Sequence, residues 1–244
     1  MDLGEERYHL RRTPWGTFSE VEILCEEPFV KRHPLYFAAK EGDPRAAEGL
    51  VEDVMATTDV VRLRTMVSSS KPFLLPVHAL ETEGMNVIPR VLARLLSGVL
   101  DLPISGGVIQ INRVTHTGAT GYHRLAFPAI FGGEVSHVDY LLVDDFIGQG
   151  GTLANLKGFV ESNGGNVIGA TALAGKSYSA RLRVDEHTLI ELRRKHGKGL
   201  EEWWLATFGY GFERLTQSEA RYLARIDDAD AIPERLALAR RARD

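Results

Sequence analysis

Cysteine is nearly absent from this 244-residue chain, which contains only Cys25. A single cysteine excludes a disulfide within the chain, and it cannot supply the cysteine cluster that many metal sites use. Such a chain suits the reducing cytosol. We therefore expect a cytoplasmic protein.

Long uncharged runs and a strong charge bias are also missing. The most apolar long stretch, residues 87–104, is interrupted by Arg90, Arg94 and Asp101, and is too charged to cross a bilayer. No basic start precedes an apolar core near the first residue, so we expect no signal peptide. The net charge of -4 gives no sign of general nucleic-acid affinity, and the short basic tail at 235–243 is typical of a solvated helix. These absences predict a protein without membrane or nucleic-acid partners.

What the sequence does contain is an informative run at residues 140–152, YLLVDDFIGQGGT. An apolar segment leads to Asp144 and Asp145, then to a glycine-rich turn and a helix-compatible segment over 152–163. This order is typical of a parallel βα unit, whose loop lies at the sheet edge where α/β proteins bind ligands. Backbone N–H groups of the loop would hold an anion, while the carboxylates would accept hydroxyl hydrogens or a hydrated cation. The run predicts a site for a phosphorylated ribose.

The run resembles the phosphoribosyl pyrophosphate (PRPP) motif of type I phosphoribosyltransferases, in which an apolar strand precedes two acids and a loop rich in threonine and glycine. The resemblance implies that Asp144 and Asp145 are the catalytic residues, which hold the ribose hydroxyls and, through the ligand or water, Mg²⁺. It also implies that the 5′-phosphate binds Gly148, Gln149, Gly150, Gly151 and Thr152. Gln149 departs from the family, which often has threonine there. The alternative is an Asp-Asp turn that caps a helix in an unrelated α/β protein.

A second loop, at residues 78–86, follows a predicted strand at 72–77 and precedes a predicted helix at 87–100. It resembles the pyrophosphate loop of adenine and xanthine phosphoribosyltransferases, in which a glutamate stands three positions before a glycine, as Glu81 does before Gly84. The resemblance implies that pyrophosphate contacts Leu80, Glu81, Thr82, Glu83 and Gly84. The alternative is an ordinary strand–turn–helix connection.

Further candidates follow from the same resemblance. A long loop predicted over 114–135 stands where the family has a flexible catalytic lid. The candidate pyrophosphate contacts in and just before it are Arg113, His116, His123 and Arg124. The segment after a predicted strand at 167–173 lines the base pocket in the family, which makes Lys176 and Tyr178 candidate base contacts. Each of these side chains also has an interpretation as an ordinary surface residue, with Tyr178 half-buried.

The order of predicted elements indicates an α/β fold with a central, mainly parallel sheet flanked by helices. Strand and helix patterns alternate between residues 60 and 178, which is typical of parallel strands joined by right-handed crossovers. We divide the chain into an N-terminal extension at 1–59, a phosphoribosyltransferase-like core at 60–184 and a C-terminal helical extension at 185–244. The extensions are predicted to form a hood or an interface. Thr216 and Glu219 have the spacing of a capping box at the start of a helix.

The functional hypothesis is an enzyme, a Mg²⁺-dependent phosphoribosyltransferase (a glycosyltransferase). It would move a phosphoribosyl group from PRPP to a nucleobase and release pyrophosphate. A purine acceptor, and with it purine salvage in nucleotide metabolism, is favoured by the second loop and by the segment from Lys176 to Tyr178. The alternative is a PRPP-binding regulator similar to the purine-operon repressor, without turnover. Because family members commonly dimerise, a homodimer is expected, and an acceptor other than a nucleobase stays open.

Overall fold

The computed structural model describes residues 10–18, 20–78, 80–81, 84–112 and 120–241. The strands are β1 (Glu22–Glu26), β2 (Phe73–Pro76), β3 (Leu80–Glu81), β4 (Gly84–Met85), β5 (Val108–Gln110), β6 (Phe131–Gly133), β7 (Asp139–Ile147) and β8 (Asn166–Gly175). Within these residues the central sheet has four strands, all parallel, in the order β1-β8-β7-β2. Small antiparallel sheets pair β3 with β4 and β5 with β6.

The helices are α1 (Glu27–Lys31), α2 (Tyr36–Lys40), α3 (Pro44–Ala56), α4 (Val61–Met66), α5 (Ile88–Leu100), α6 (Gly121–Ala126), α7 (Gly151–Ser162), α8 (Glu186–Phe208), α9 (Gln217–Ala224) and α10 (Ala231–Arg241). Local sequence explains several of their ends. Asp43 accepts hydrogen bonds from the first N–H groups of α3 and so caps it. Helix α8 is interrupted at Gly197, where φ is +72°. The predicted capping box of α9 is confirmed, because Thr216 and Glu219 bond each other's backbone N–H groups.

The predicted fold class, an α/β protein with a mainly parallel sheet flanked by helices, is confirmed. The inner strands β7 and β8 are buried on both faces, as expected for a parallel sheet covered by helices. The alternation along β7 divides the core: Leu141 and Val143 pack in the cluster that contains α3 and α5, whereas Tyr140 and Leu142 pack in the cluster that contains α7.

The segment predicted as one long loop at 114–135 contains regular structure in its described part, so that prediction is wrong for residues 121–126 and 131–133. Helix α6 occupies Gly121–Ala126, and β6 pairs with β5, Val108 lying opposite Gly133. Within the described residues β5 therefore belongs to a separate two-stranded antiparallel sheet, not to the parallel sheet. The physical reason is apolar burial: Leu125, Ala126 and Phe127 pack into a cluster with the C-terminal helices.

The N-terminal segment is part of the central sheet. Strand β1 pairs in parallel with β8, from Glu22 opposite Thr171 to Glu26 opposite Gly175. Helix α3 buries Leu50 and Val54 in the same cluster as residues of β2 and β7. The predicted boundary at 59/60 therefore does not separate a hood from the sheet. Among the described residues, no helix combines the length and the apolar character that a membrane span requires.

Candidate functional site

The carboxyl ends of the parallel strands meet at one edge of the sheet. Ile147 at the end of β7 and Glu26 at the end of β1 both pair with Gly175 of β8. Strand β2 ends four residues earlier along β7, with Pro76 opposite Val143. The segments that continue from these ends carry most of the described candidate residues. Ligands of open α/β sheets bind at such an edge.

Asp144 and Asp145 lie within β7, although the strand was predicted to end before them, and both are 6% exposed. Lys40 Nζ donates to Asp145 Oδ2 at 2.7 Å, and Asn86 Nδ2 donates to the same oxygen at 2.8 Å. The backbone N–H of Asp145 donates to Asp144 Oδ1 at 2.9 Å. The carboxylates are therefore set into the sheet and held by donors from two neighbouring segments.

The surroundings move the pKa values of the two carboxyl groups in opposite directions. Burial raises the pKa of Asp144 well above its usual value, and the adjacent charge of Asp145 adds to this. Burial also opposes the ionisation of Asp145, but the charge of Lys40 and the hydrogen bonds from Lys40 and Asn86 outweigh it and lower the pKa of Asp145. The pair therefore favours a negative charge on Asp145 and a proton on Asp144.

The glycine loop that follows leads into an uncapped helix. Gly150 is the N-cap of α7 and has φ of +80°, a left-handed conformation that favours glycine. A Cβ on Gly150 would also lie 2.3 Å from Leu182 Cδ2, so a larger residue would clash. No side chain among the described residues caps α7, which leaves its first N–H groups and the positive end of its dipole for another partner.

Arg124 brings a positive charge to this loop. A Cβ placed on Gly148 would lie 2.6 Å from Arg124 Nη1, so the guanidinium packs directly against the loop backbone. Burial lowers the pKa of Arg124, and the charge of Glu27 partly offsets the effect. The ring of His123 packs on Phe127, with the ring centroids 4.7 Å apart. Of these two predicted lid residues, the structure brings Arg124 to the glycine loop.

The predicted base contacts lie at the end of β8. Lys176 Nζ is 5.7 Å from the ring centroid of Tyr178, and Tyr178 is 58% exposed. Hydrogen bonding and charge interaction with Tyr178, followed by the negative charge of Glu27, raise the pKa of Lys176. Glu27 thus interacts with both Lys176 and Arg124, which assembles these charges around the same edge of the sheet.

The described part of the predicted pyrophosphate loop lies in two short strands. Strands β3 and β4 pair antiparallel, with Leu80 opposite Met85 and Glu81 opposite Gly84. The open loop expected between strand and helix is therefore wrong for these residues, whose backbones face each other. Thr82 and Glu83 lie outside the described residues, as do Arg113 and His116. The ligand roles assigned to these two segments stay predictions.

Lys40 and Asn86 were missed from the sequence, although both donate to Asp145. Lys40 precedes Asp145 by 105 residues and stands in the last turn of α2, where a basic residue is unremarkable, so no local pattern marks it. Asn86 carried a usable signal, because an asparagine just before a helix is a typical cap. Its Oδ1 accepts a hydrogen bond from the Ile88 N–H at 3.3 Å.

Two surface cavities in the described part of the chain are lined by other residues than the acid pair and the glycine loop. One of about 370 Å³ is formed by residues around Lys71 and Asp101. Another, of about 600 Å³, lies where α8 meets α9 and combines Arg181, Arg221 and Arg225 with acidic side chains. Neither contains the convergent, buried polar groups that surround Asp145, so the strand edge remains the better candidate.

The fold and this edge define an α/β protein with a candidate anion-binding loop beside a buried acid pair. Over 230 residues, 94% of the chain, it is 40% identical to Protein TraN of Escherichia coli. Over 160 residues, 65% of the chain, it is 40% identical to an uncharacterized protein of Haemophilus influenzae. The chain spans about half the length of TraN (51%) and 36% of the length of the second relative. No family model matches the chain.

These comparisons correct the functional hypothesis. A relative that matches almost the whole chain is named Protein TraN, not a phosphoribosyltransferase. The predicted transfer of a phosphoribosyl group to a nucleobase is therefore wrong, as are the PRPP-binding regulator offered as its alternative and the assignment to purine salvage. The reason is that a strand, two acids and a glycine loop specify a local geometry that unrelated α/β proteins share, and a fold does not by itself determine an activity.

Proposed function

We propose that this domain binds a phosphate monoester with neighbouring hydroxyl groups, such as a sugar phosphate, at the carboxyl end of β7. One observation carries the proposal: a buried acid pair and an uncapped glycine-rich helix start lie on the same strand end, only Phe146 and Ile147 separating Asp145 from Gly148. Two chemically different parts of one ligand would thus meet adjacent, complementary parts of the protein.

The phosphate would bind at the start of α7. Backbone N–H groups at a helix N-terminus attract anions because they lack intrahelical acceptors and carry the positive end of the helix dipole. The guanidinium of Arg124, which packs on Gly148, adds a charge suited to phosphate. Gln149 does not prevent this arrangement, since backbone donors need no particular side chain.

The hydroxyl groups would bind at the acid pair. Asp145 is fixed by Lys40 and Asn86, and its Oδ1 also accepts from the Phe146 N–H at 2.8 Å, so its carboxylate is oriented and charged. A proton on Asp144 would make this residue a donor as well as an acceptor. A charged acceptor beside a neutral donor–acceptor suits a pair of neighbouring hydroxyls better than it suits an anion.

The acid pair fits Mg²⁺ only together with a ligand. The described residues contain no group of three or more His, Cys, Asp or Glu side chains that could hold a metal. Mg²⁺ is often bound by one or two carboxylates plus ligand phosphate and water oxygens, and Asp144 and Asp145 could serve in that way. The ion would supply positive charge between phosphate and carboxylates. Catalysis, a homodimer and a cytoplasmic location stay predictions.

Titration calorimetry with ribose 5-phosphate tests the proposal, with and without Mg²⁺. Ribose, inorganic phosphate and 2-deoxyribose 5-phosphate are the truncated ligands, because each lacks the phosphate, the sugar or one of the neighbouring hydroxyls. We expect ribose 5-phosphate to bind at least tenfold more tightly than any of them, since each deletion leaves part of the site unpaired. Equal affinity for ribose 5-phosphate and inorganic phosphate would contradict the role of the acid pair.

Arg124→Gln should weaken ribose 5-phosphate binding by about tenfold, because a charge-assisted contact is replaced by a neutral one. The matched control is Arg64→Gln, which removes a guanidinium that bonds the Val99 carbonyl at the opposite end of the sheet. This control should bind as the unmodified protein does. Absence of any binding of ribose 5-phosphate by the unmodified protein would overturn the proposed function.

A further inference from the structure

The C-terminal part of the chain donates a hydrogen bond to the backbone of the glycine loop. Thr216 Oγ1 donates to the carbonyl oxygen of Gln149 at 2.5 Å, across 67 residues of sequence. The next residue is Gly150, whose left-handed φ turns the chain into α7. Thr216 Cγ2 would also lie 3.5 Å from a Cβ on Gly150. The threonine therefore contacts the loop at the peptide that sets the direction of the N–H groups of α7.

The hydroxyl of Thr216 has little freedom to point elsewhere. Thr216 is fully buried, and its Oγ1 accepts a hydrogen bond from the Glu219 N–H at 3.0 Å. In return, the Thr216 N–H donates to Glu219 Oε2 at 2.9 Å. Because the capping box occupies an acceptor position of the hydroxyl, its single proton is directed to Gln149.

The capping box is itself fixed to α7 through Arg12. The guanidinium of Arg12 donates to both carboxylate oxygens of Glu219, at 2.6 and 2.8 Å, and its Nε donates to Asn155 Oδ1 of α7 at 2.7 Å. A Cβ on Gly151 would lie 2.7 Å from Glu219 Oε1, so this carboxylate approaches the start of α7 closely. Arg12 thus offsets a negative charge that would otherwise repel an anion there.

We propose that Thr216 is a positioning residue for the anion loop, and that binding at this loop is coupled to the docking of the C-terminal segment. The inference rests on the proposed function for its ligand. Without the hydroxyl, the Gln149 carbonyl loses this donor, and the peptide between Gln149 and Gly150 is held less firmly. The N–H groups of α7 then no longer converge on one point. Ligand binding must order them again, and this lowers the affinity.

The test compares Thr216→Val with Thr216→Ser, which keeps the hydroxyl. The valine variant should bind ribose 5-phosphate about tenfold more weakly, and the serine variant should recover at least half of the lost binding energy. The control is Ser97→Ala, which removes a bond from a partly buried hydroxyl to the Leu102 carbonyl, 2.6 Å long, at the opposite end of the sheet. It should lower stability without changing affinity. Unchanged affinity in Thr216→Val would overturn the proposal.

Hydrogen exchange tests the role of Thr216 without a ligand. A failure of this proposal can therefore be distinguished from a failure of the proposed function. In Thr216→Val the amides of Gly150, Gly151 and Thr152 should exchange at least tenfold faster than in Ser97→Ala, compared at equal global stability. Equal loop exchange in the two variants would overturn the positioning role even if the sugar phosphate binds. Failure of the unmodified protein to bind ribose 5-phosphate overturns the proposed function alone, because the loop exchange still decides the role of Thr216.

Discussion

Asp144 and Asp145 show how far neighbouring residues of one type can differ. Asp145 meets an ammonium group and an amide, whereas Asp144 meets the backbone N–H of Asp145 and the charge of that carboxylate. Folding therefore raises the pKa of Asp144 and lowers that of Asp145. By linkage, Asp145 contributes stability at neutral pH that is lost as the pH falls through its folded pKa. Asp144 costs stability as the pH rises above the usual aspartate pKa of about 4.

Replacing aspartate by asparagine should have opposite effects on stability at these two positions. Asp144→Asn should raise the free energy of unfolding at pH 7 by about 1 kcal/mol, as expected where function has been favoured over stability. The gain should shrink as the pH falls towards about 4, where the aspartate of the unmodified protein is protonated. Asp145→Asn should lower the free energy of unfolding by about 3 kcal/mol at pH 7, because the buried ion pair between Lys40 and Asp145 is lost.

Urea unfolding of the three proteins between about pH 4 and pH 8 measures these changes. The two variants serve as controls for each other, since they make the same substitution one residue apart in the same strand. A loss of stability in Asp144→Asn at pH 7 would contradict the ionisation pattern on which the hydroxyl half of the site depends.

Helix α7 owes its position to a glycine with no special backbone conformation. A Cβ on Gly158 would lie 1.9 Å from the Arg11 carbonyl oxygen and 2.8 Å from Arg12 Cα, so the N-terminal segment lies directly on the helix backbone. This close approach places Arg12 beside Asn155 one turn earlier. By contrast, a Cβ on Gly98 in α5 would meet nothing within 4 Å. The two helices therefore contain glycine for different reasons.

Alanine should have opposite effects at these two helical glycines. Gly98→Ala should raise the free energy of unfolding by about 0.5–1 kcal/mol, because alanine favours the helix and meets no atoms. Gly158→Ala should lower it by about 2 kcal/mol, since overpacking against a backbone outweighs the helix preference. Thermal unfolding of both variants checks the pair, and a stabilised Gly158→Ala would show that the N-terminal segment is not packed as described.

Sequence patterns predicted the elements whose contacts are local or periodic. The apolar period identified α5, β7, α7 and β8 to within a few residues, and the capping box identified the start of α9. The paired strands β3 and β4 and the helix α6 were not predicted, because two-residue strands and a six-residue helix carry almost no periodic signal. The partners Lys40 of Asp145 and Thr216 of Gln149 escaped for another reason: tertiary contacts alone bring them together.

At the scale of the whole molecule, a buried ion pair joins segments that the sequence separated into three parts. Arg12 and Glu219 are 207 residues apart, and their side chains are 3% and 4% exposed. Burial opposes the charge on Arg12, but Glu219 outweighs it and raises the pKa of Arg12. Arg12 also packs on the ring of Tyr210, 4.4 Å from its centroid. The N-terminal segment, α7 and the C-terminal helices therefore share one charged contact.

A double-mutant cycle should show that these segments unfold together. Arg12→Met and Glu219→Gln should each lower the free energy of unfolding by about 3 kcal/mol, because each leaves the other charge buried and unpaired. Glutamine is chosen since it still supports a capping box. The double variant should lose at least 1 kcal/mol less stability than the sum of the two single losses. Arg193→Met, at an exposed ion pair with Glu201, is the control and should cost less than about 1 kcal/mol.

Hydrogen exchange distinguishes a shared unit from a local contact. If the segments form one cooperative unit, Arg12→Met accelerates exchange in α7 and α9 by the same factor as it lowers global stability, although Arg12 belongs to neither helix. Acceleration confined to residues near Arg12, with α9 unchanged, would contradict this. The cooperative outcome would also explain why the glycine loop depends on residues from both ends of the described chain, since the loop lies where those segments meet.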